Sequence, residues 1–238
     1  MNRAHLRVIS IVILAVILSP GLRASDALSV MVESTAVSSY LWRGWVVNNS
    51  PSLQPAVTVN WKSFSFSSWH NFSRHVPNQQ AWTEHDLTVS YTPGYKRWTF
   101  PVGFSCFLFP DQRKEEGRHT VEASLGVAYA HWLQPSFTLY HDFQLGGGNY
   151  YYVSLSHAFE LKKRLNLGIQ VGVGLNQHQY QPITTVSDFD AVVTLGYRLT
   201  ERISISPSFT QMTGNRSLFG SHRAYAVKFS LRSLGTAE

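Results

Sequence analysis

The sequence has 238 residues, which is enough for one large β domain or two small domains. Charged residues make up only 14%, against roughly 25% in a typical soluble protein, while aromatic residues make up 13%. The formal net charge of +6 falls to +3 without Arg3, Arg7 and Arg23 of a predicted leader, which is too weak for a nucleic-acid surface. The single cysteine, Cys106, excludes an intramolecular disulfide and a cysteine-based zinc cage.

Residues 1–27 have the pattern of a secretory signal peptide. Arg3 and Arg7 precede an apolar stretch at residues 8–18, which ends before Pro20. This stretch is too short for a transmembrane helix, which needs about 20 apolar residues. We therefore predict a cleaved signal peptide at 1–27 and a single domain at 28–238.

The region from Tyr150 to Asn176 shows the pattern of the mature chain most clearly. In its second half, apolar side chains occupy every other position from Leu165 to Leu175, and glycine, asparagine or glutamine occupies the positions between. A period of two places alternate side chains on opposite faces of a strand. Both halves are longer than the usual soluble strand but suit a strand tilted across a bilayer, which needs about 9–11 residues. We predict a transmembrane hairpin with one face toward lipid and one toward a lumen.

Alternating runs of this kind continue along the whole chain after residue 27. Each run carries mainly apolar residues on one parity and polar or small residues on the other. Twelve runs predict an all-β fold, a single antiparallel transmembrane β-barrel of about 12 strands. The runs are Val30–Arg43, Leu53–Trp61, Phe64–Phe72, Trp82–Tyr91, Trp98–Leu108, Thr120–Ala130, Ser136–Gln144, Tyr151–Glu160, Leu165–Asn176, Asp188–Leu199, Arg202–Thr210 and Arg223–Arg232.

The connections between the runs alternate in length. Those after even-numbered runs are short, as at Lys62-Ser63 and Thr200-Glu201, whereas those after odd-numbered runs are mostly longer and more polar, as at 73–81 and 110–118. Short periplasmic turns and long outer loops are typical of bacterial outer-membrane barrels. We expect the outer membrane as location, both termini in the periplasm, and membrane lipids, lipopolysaccharide and the barrel-assembly machinery as partners.

Aromatic residues gather near the ends of the runs, where amphipathic rings favour the headgroup zone of a bilayer. We interpret them as two aromatic girdles around a barrel. A soluble sandwich would also show alternating runs, but the leader, the run lengths and the loop asymmetry favour the membrane barrel. The aromatic residues concerned are Tyr40, Trp42, Trp45, Trp61, Trp69, Trp82, Tyr91, Trp98, Trp132, Tyr150 and Tyr197.

The stretch Ser38–Trp61 resembles the TorF-type porin family of small bacterial outer-membrane β-barrels. The residues that carry the resemblance are Tyr40, Trp42, Arg43 and Gly44 before the first loop, and Leu53, Gln54 and Pro55 at the next run. The stretches 149–176 and 203–210 also look like the family. The resemblance implies an outer-membrane location and pore formation, with no known substrate. The chain runs past Leu231 rather than ending on an aromatic residue, which leaves Phe229 as the candidate insertion signal.

Charged residues on the predicted lumen face are the candidates for solute contact, because such charges set selectivity in water-filled barrels. Twelve strands enclose a narrower lumen than the roughly 16–18 of general porins. We expect passive diffusion of small polar solutes or ions, controlled by size and by the field of these charges, with no enzyme activity, cofactor, metal or nucleic acid. The candidate pore-lining residues are Glu33, Arg43, Glu84, Asp86, Glu122, Asp142, Asp190, Arg198 and Lys228.

The pair Arg43-Gly44 carries the most specific hypothesis. The arginine would project into the lumen just before the first outer loop, and the glycine would permit the bend. Two roles stay open for the arginine at this point. It could contact a solute, or it could form a structural ion pair with a lumen carboxylate such as Glu84 or Asp86.

Two other functions also stay open. A closed barrel, with its lumen charges paired to one another, would be a structural or interaction protein. An outer-membrane lipid hydrolase would need a serine and a histidine on the lipid face, with a third group that orients them. Ser68 and His70 share that face, but side chains two residues apart on one strand stand roughly parallel, which predicts a poor catalytic pair.

Overall fold

The computed structural model describes residues 28–73, 82–110, 112, 117–214 and 220–232. The predicted signal peptide at 1–27 and residues 233–238 lie outside this part of the chain. No α-helix among the described residues is both long and apolar enough to cross a bilayer. The strands are β1 (Leu28–Val37), β2 (Tyr40–Trp42), β3 (Trp45–Asn48), β4 (Ser52–Trp61), β5 (Phe64–Ser73), β6 (Trp82–Tyr91), β7 (Gly94–Tyr95), β8 (Trp98–Thr99), β9 (Val102–Leu108), β10 (His119–Tyr129), β11 (Ser136–Asp142), β12 (Asn149–Lys162), β13 (Leu165–Gln177), β14 (Thr184–Arg198), β15 (Ile203–Gly214) and β16 (Ser221–Arg232).

Twelve of these strands form the wall of a closed antiparallel barrel, and only β2, β3, β7 and β8 are extra to it. Each wall strand pairs with the next one in the chain, and β10 pairs with β11 to keep the ring continuous. The ring closes between the first and last strands, where Val32 of β1 lies opposite Leu231 of β16. The prediction of an all-β, single antiparallel barrel of about twelve strands is confirmed.

Two predicted runs were too long, because each contains a wall strand and part of a short hairpin. The run Val30–Arg43 divides after Val37, where the chain leaves the wall and enters β2. The run Trp98–Leu108 divides between β8 and β9 at Phe100 and Pro101. The wall strand begins only after Pro101, at Val102.

The two faces of the wall have opposite polarity. Apolar side chains on the outer face are exposed, with Val153 at 52%, Val171 at 46% and Phe229 at 52%. The side chains of Asn71, Thr120 and Asp142 are fully buried, polar and on the other parity, and the buried Ser187 lies at the register shift of β14. This inverted distribution is that of a barrel with lipid outside and a polar lumen inside.

The two rims of the barrel differ in their connections. We call one rim the turn end; it carries the connections at 62–63, 92–101, 130–135, 163–164 and 199–202. We call the other rim the loop end; it carries the connections at 38–51, 74–81, 109–118, 143–148, 178–183 and 215–220, of which 74–81 and 215–219 lie outside the described residues. At the turn end, Trp98 and Tyr129 pack with ring centroids 4.6 Å apart, as expected for an aromatic girdle.

Candidate functional site

The connection from β1 to β4 at the loop end contains the β2–β3 hairpin. Trp42 pairs with Trp45, so Arg43 and Gly44 form a two-residue tip. Their φ angles are 46° and 88°, and two successive positive φ angles are typical of a type I′ hairpin turn. A positive φ is uncommon for a residue other than glycine, so the tip accepts some backbone strain at Arg43. The strain fixes the direction in which the arginine side chain leaves the hairpin.

The base of this hairpin is attached to the closing seam of the barrel. The Ser38 backbone N–H donates to the Tyr225 carbonyl at 2.8 Å, and the Tyr225 N–H donates to Ser38 Oγ at 2.9 Å. Within the loop, Ser39 Oγ donates to the Asn48 carbonyl at 3.0 Å. The hairpin therefore begins from a fixed point on β16.

Arg43 binds a carboxylate on the far side of the barrel. Its Nη2 donates to Glu122 Oε1 at 2.8 Å, and its Nη1 donates to Glu122 Oε2 and, at 2.9 Å, to Gln179 Oε1. The guanidinium carbon lies 4.1 Å from the ring centre of Tyr140 and 4.8 Å from that of Tyr150. The paired N–H groups match the two carboxylate oxygens, and the ring faces add cation–π attraction.

This contact crosses the lumen. Glu122 is on β10, which follows β1, β4, β5, β6 and β9 around the ring and so stands five strands from β1 in a ring of twelve. The side chains of Arg43 and Glu122 are only 11% and 4% exposed. The hairpin tip thus crosses the lumen at the loop end, and both charged side chains are largely buried there.

The connection at 178–183 contributes a second inward segment. Gln179 is 2% exposed, and its Nε2 donates to Glu122 Oε2 at 3.0 Å. Tyr180 donates its hydroxyl to Asp142 Oδ2 at 2.9 Å, and its ring packs edge-on against Trp42 at 5.6 Å. Burial and the adjacent Asp142 carboxylate raise the pKa of the Tyr180 hydroxyl, so it remains a donor at neutral pH. The β2–β3 hairpin and the 178–183 connection therefore both contact Glu122.

We call the contact of Arg43 with Glu122 and Gln179 the clamp. Asp142 is the centre of a hydrogen-bond network beside it. It is fully buried, and Thr120 Oγ1 lies 2.7 and 2.8 Å from its two oxygens. Backbone N–H groups of Gln144 and Gly146 donate to its Oδ1 at 2.8 and 2.9 Å. A buried carboxylate with this many donors is satisfied without a cation, so Asp142 holds the 143–148 turn in place.

Two tyrosine–aspartate pairs lie below the clamp on the lumen wall. Tyr150 donates to Asp188 at 3.0 Å, and Tyr152 donates to Asp190 at 2.8 Å. The rings lie over the glycines of β13: a Cβ at Gly172 would come within 2.1 Å of the Tyr152 hydroxyl oxygen. The tyrosine rings therefore pack against the glycine face of β13.

The half of the lumen toward the turn end contains open space. A cavity of about 640 Å³ opens there. Arg198 lines it and donates from Nη2 to the Lys163 carbonyl at 2.8 Å. Lys228 forms an ion pair with Glu33 at 3.0 Å, and its side chain is 45% exposed. These charges are in contact with water, in contrast to those at the clamp.

The nine charged residues expected to line the lumen fall into three groups. Arg43 and Glu122 are in direct contact, whereas the sequence pointed to Glu84 or Asp86 as the partner of the arginine. Arg43 also lies on a hairpin tip rather than on a wall strand. The acidic residues near the clamp are Glu84, Asp86, Asp142 and Asp190, and the residues nearer the turn end are Glu33, Arg198 and Lys228.

Sequence reasoning missed much of the site. The prediction of a girdle position for Tyr150, Tyr40 and Trp42 is wrong, because these rings face the inside of the barrel, near the arginine or the inner carboxylates. The parity of Tyr150 and its glycine partners on β13 was a usable signal. No local pattern marked Gln179 or Tyr180, because their role depends on the packing of two loops.

The fold and the polar lumen define a porin-like β-barrel, and solved structures agree. The NanC porin is 13% identical and matches with a TM-score of 0.57, over 87% of this chain and 100% of that chain. An outer membrane channel from Pseudomonas putida F1 is 10% identical with a TM-score of 0.59, over 91% and 100%. The KdgM porin, also solved in complex with disordered oligogalacturonate, is 11% identical with a TM-score of 0.57, over 87% and 99%. At these identities the likeness defines the fold.

A family model described as "Bacterial protein of unknown function (Gcw_chp)" matches residues 23–233, and the chain belongs to this family. The finer resemblance to the TorF-type porins stays a prediction. No curated protein matches the sequence.

Proposed function

We propose that this chain is an outer-membrane channel for the passive diffusion of small polar or ionic solutes. The observation that supports it is a polar cavity of about 640 Å³ in the turn-end half of the lumen, with the contact between Arg43 and Glu122 at the loop end. Size exclusion at this contact and the field of the lumen charges would act together. No covalent step is needed in the lumen.

The turn-end cavity favours anions. Six basic and two acidic side chains line it, which leaves four net positive charges at neutral pH. They are Lys162, Lys163, Arg164, Arg198, Arg202 and Arg232, with Glu160 and Glu201. A concave surface of one sign raises the local concentration of ions of the other sign.

The clamp would then act as the selective point. A solute carboxylate can accept the same two N–H groups of Arg43 that Glu122 accepts. Oligogalacturonate, which was observed with the KdgM porin, carries such carboxylates. We propose small anionic solutes as the class that exchanges with Glu122 at this arginine.

The placement in the cell follows from the same proposal. The turn end would face the periplasm together with both termini, and the outer wall would contact lipids and lipopolysaccharide of the outer membrane. Residues 1–27 would direct export and be removed, and the barrel-assembly machinery would insert residues 28–238.

A closed structural barrel is the second candidate, because Arg43, Glu122 and Gln179 are buried and bonded to one another. Single-channel recording in a planar bilayer separates the two, with the fold checked by heat-modifiable gel mobility. Discrete conductance steps, with a reversal potential in a salt gradient, support the channel. Absence of steps from folded protein would leave the closed barrel.

A further inference from the structure

The outer face of the barrel carries a polar cluster among apolar side chains. Ser68 and His70 lie on β5 with the same parity as Phe66, which is 50% exposed, and Leu87, opposite Ser68 on β6, is 46% exposed. His85 lies on the same face, directly opposite His70. All three polar side chains are half-buried. The wall here faces lipid, where polar and ionisable groups are costly and are retained mainly for function.

Ser68 is at the centre of this cluster. Its Oγ lies 3.1 Å from His70 Nε2 and 3.2 Å from His85 Nε2. The two imidazole rings are stacked, with centroids 4.2 Å apart and planes 16° apart.

The geometry gives each group a separate role. A hydroxyl accepts one hydrogen bond and donates another, so one imidazole accepts the Ser68 proton while the other donates an N–H to the same oxygen. His70, at the shorter distance, fits the base. His85 then holds an N–H beside Ser68 Oγ, the atom that would bond to a substrate.

The position along the wall fits the ester region of a lipid. His70 lies three residues before the end of β5, and Gln211, also on the outer face, lies three residues before the end of β15. Gln211 Nε2 donates to Ser221 Oγ at 3.0 Å, so polar outer side chains recur at this height. Both side chains are close to the loop-end rim, and the acyl esters of membrane lipids lie at the boundary between acyl chains and headgroups, near the rim of a spanning barrel.

We propose that Ser68, His70 and His85 form a hydrolytic site for acyl esters of lipids in the adjoining leaflet. The site is separate from the lumen and from the channel function. It departs from the expectation, drawn from the sequence, that the barrel is not an enzyme. Glycerophospholipids and lipopolysaccharide share the acyl-ester chemistry that it would take.

The reaction divides into two steps. Ser68 Oγ bonds to the ester carbonyl carbon while His70 Nε2 takes the hydroxyl proton, and the His85 N–H donates to the oxygen that becomes negative. The carbon–oxygen bond to the lipid alcohol breaks, and the alcohol leaves with the proton from His70. Water then adds to the acyl carbon and gives a proton to His70. The bond from that carbon to Ser68 Oγ breaks, Ser68 takes the proton back from His70, and a fatty acid leaves.

The test uses the refolded mature chain in vesicles of phosphatidylethanolamine and phosphatidylglycerol, and in vesicles with added lipopolysaccharide. Released fatty acid is measured by mass spectrometry. Ser68→Ala and His70→Asn should each lower release by at least about 100-fold, as is usual when a nucleophile or general base is removed. His85→Ala should lower it less, and His85→Gln, which keeps an N–H donor, should restore part of it.

Ser67→Ala is the matched control, because Ser67 is the neighbouring serine on β5 with lumen parity. It should release fatty acid at the wild-type rate. A fluorophosphonate should attach to the peptide of Ser68, with loss of fluoride, in wild type and in Ser67→Ala but not in Ser68→Ala.

Two results would overturn the proposal. One is no release from folded wild type with either lipid; the other is equal release by Ser68→Ala. The single-channel conductance of Ser68→Ala should equal that of wild type because the site faces lipid. Loss of hydrolysis is therefore separable from loss of conduction.

Discussion

The loop end and the turn end of the lumen hold their charges in different ways. At the loop end, Glu122 and Asp142 are 3% and 0% exposed, and several donors satisfy each of them. At the turn end, Arg198 is exposed, and the Lys228 side chain in its ion pair with Glu33 is 45% exposed. Buried, bonded charges hold a structure, because removing one partner leaves the other desolvated. Exposed charges contribute little to stability but act on ions in the water around them.

The largest effect should come from Arg43→Ala. It leaves Glu122 buried without its cation, and breaking a buried pair in this way costs about 3–5 kcal/mol. A loss of this free energy raises the ratio of displaced to clamped hairpins by a factor of about 100 or more. We expect larger and less stable conductance steps in single-channel recordings.

Arg223→Ala is the matched control for the clamp, since Arg223 pairs with Gln211 on the outer face through a 2.9 Å bond. It should leave the step size unchanged. Adding Glu122→Gln to Arg43→Ala should restore part of the stability, because the unpaired charge is then gone. An unchanged step size in folded Arg43→Ala would show that the hairpin does not obstruct the lumen.

Gly172→Ala should have the next largest effect. A Cβ there would come within 2.1 Å of the Tyr152 hydroxyl oxygen, so the ring must move and its bond to Asp190 must break. Overpacking of this kind costs about 1–3 kcal/mol. Urea unfolding, followed by gel mobility, should show the loss.

Gly168→Ala tests this explanation on the same strand and the same face. The nearest atoms to a Cβ at Gly168 are 3.8 Å away on Thr194, which is ordinary contact. Gly168→Ala should therefore be as stable as wild type or slightly more so. Equal losses at Gly168 and Gly172 would contradict the role of the tyrosine ring.

Arg198→Glu should change selectivity without changing the clamp. Replacing a positive by a negative charge about 10 Å from a passing ion changes its energy by about 0.8 kcal/mol in water, less with salt screening. The permeability ratio of cations to anions should rise about two- to fourfold, measured by reversal potential. The control is Lys96→Glu, in the β7–β8 hairpin outside the cavity lining, which should change the permeability ratio less. An equal change in that ratio would rule out a local effect of the cavity.

The smallest effect should come from Lys228→Gln. This removes the half-exposed ion pair with Glu33, and exposed pairs contribute about 0–1 kcal/mol. The unfolding midpoint should hardly move, and the small change should vanish in high salt. A loss of unfolding free energy as large as that of Arg43→Ala would show that the ion pairs at the two ends of the lumen stabilise the barrel equally.

The wall was predictable from the sequence because its rule is local. Each strand needs only alternation over about ten residues, and antiparallel neighbours follow from short connections. The β2–β3 hairpin was missed because Tyr40 and Trp42 continue the alternation of β1 although they belong to another sheet. The rule cannot show where a strand leaves the wall.

The candidate site was less predictable because its contacts are distant in sequence. Arg43 and Glu122 are 79 positions apart, and Arg43 and Gln179 are 136 positions apart. Several carboxylates share the lumen parity, and nothing local distinguishes Glu122 from Glu84. The side chains of Ser68 and His70 were expected to stand parallel without meeting. They do meet, because the imidazole is long enough to lean along the strand.

The attachment of the hairpin to β16 has a consequence for how the barrel is made. Ser38 can bind Tyr225 only after the last strand has been synthesised and has joined the first. The same seam therefore joins the two ends of the wall and holds the base of the hairpin that carries Arg43. Closing the wall against lipid and anchoring the hairpin that reaches into the lumen are therefore one event.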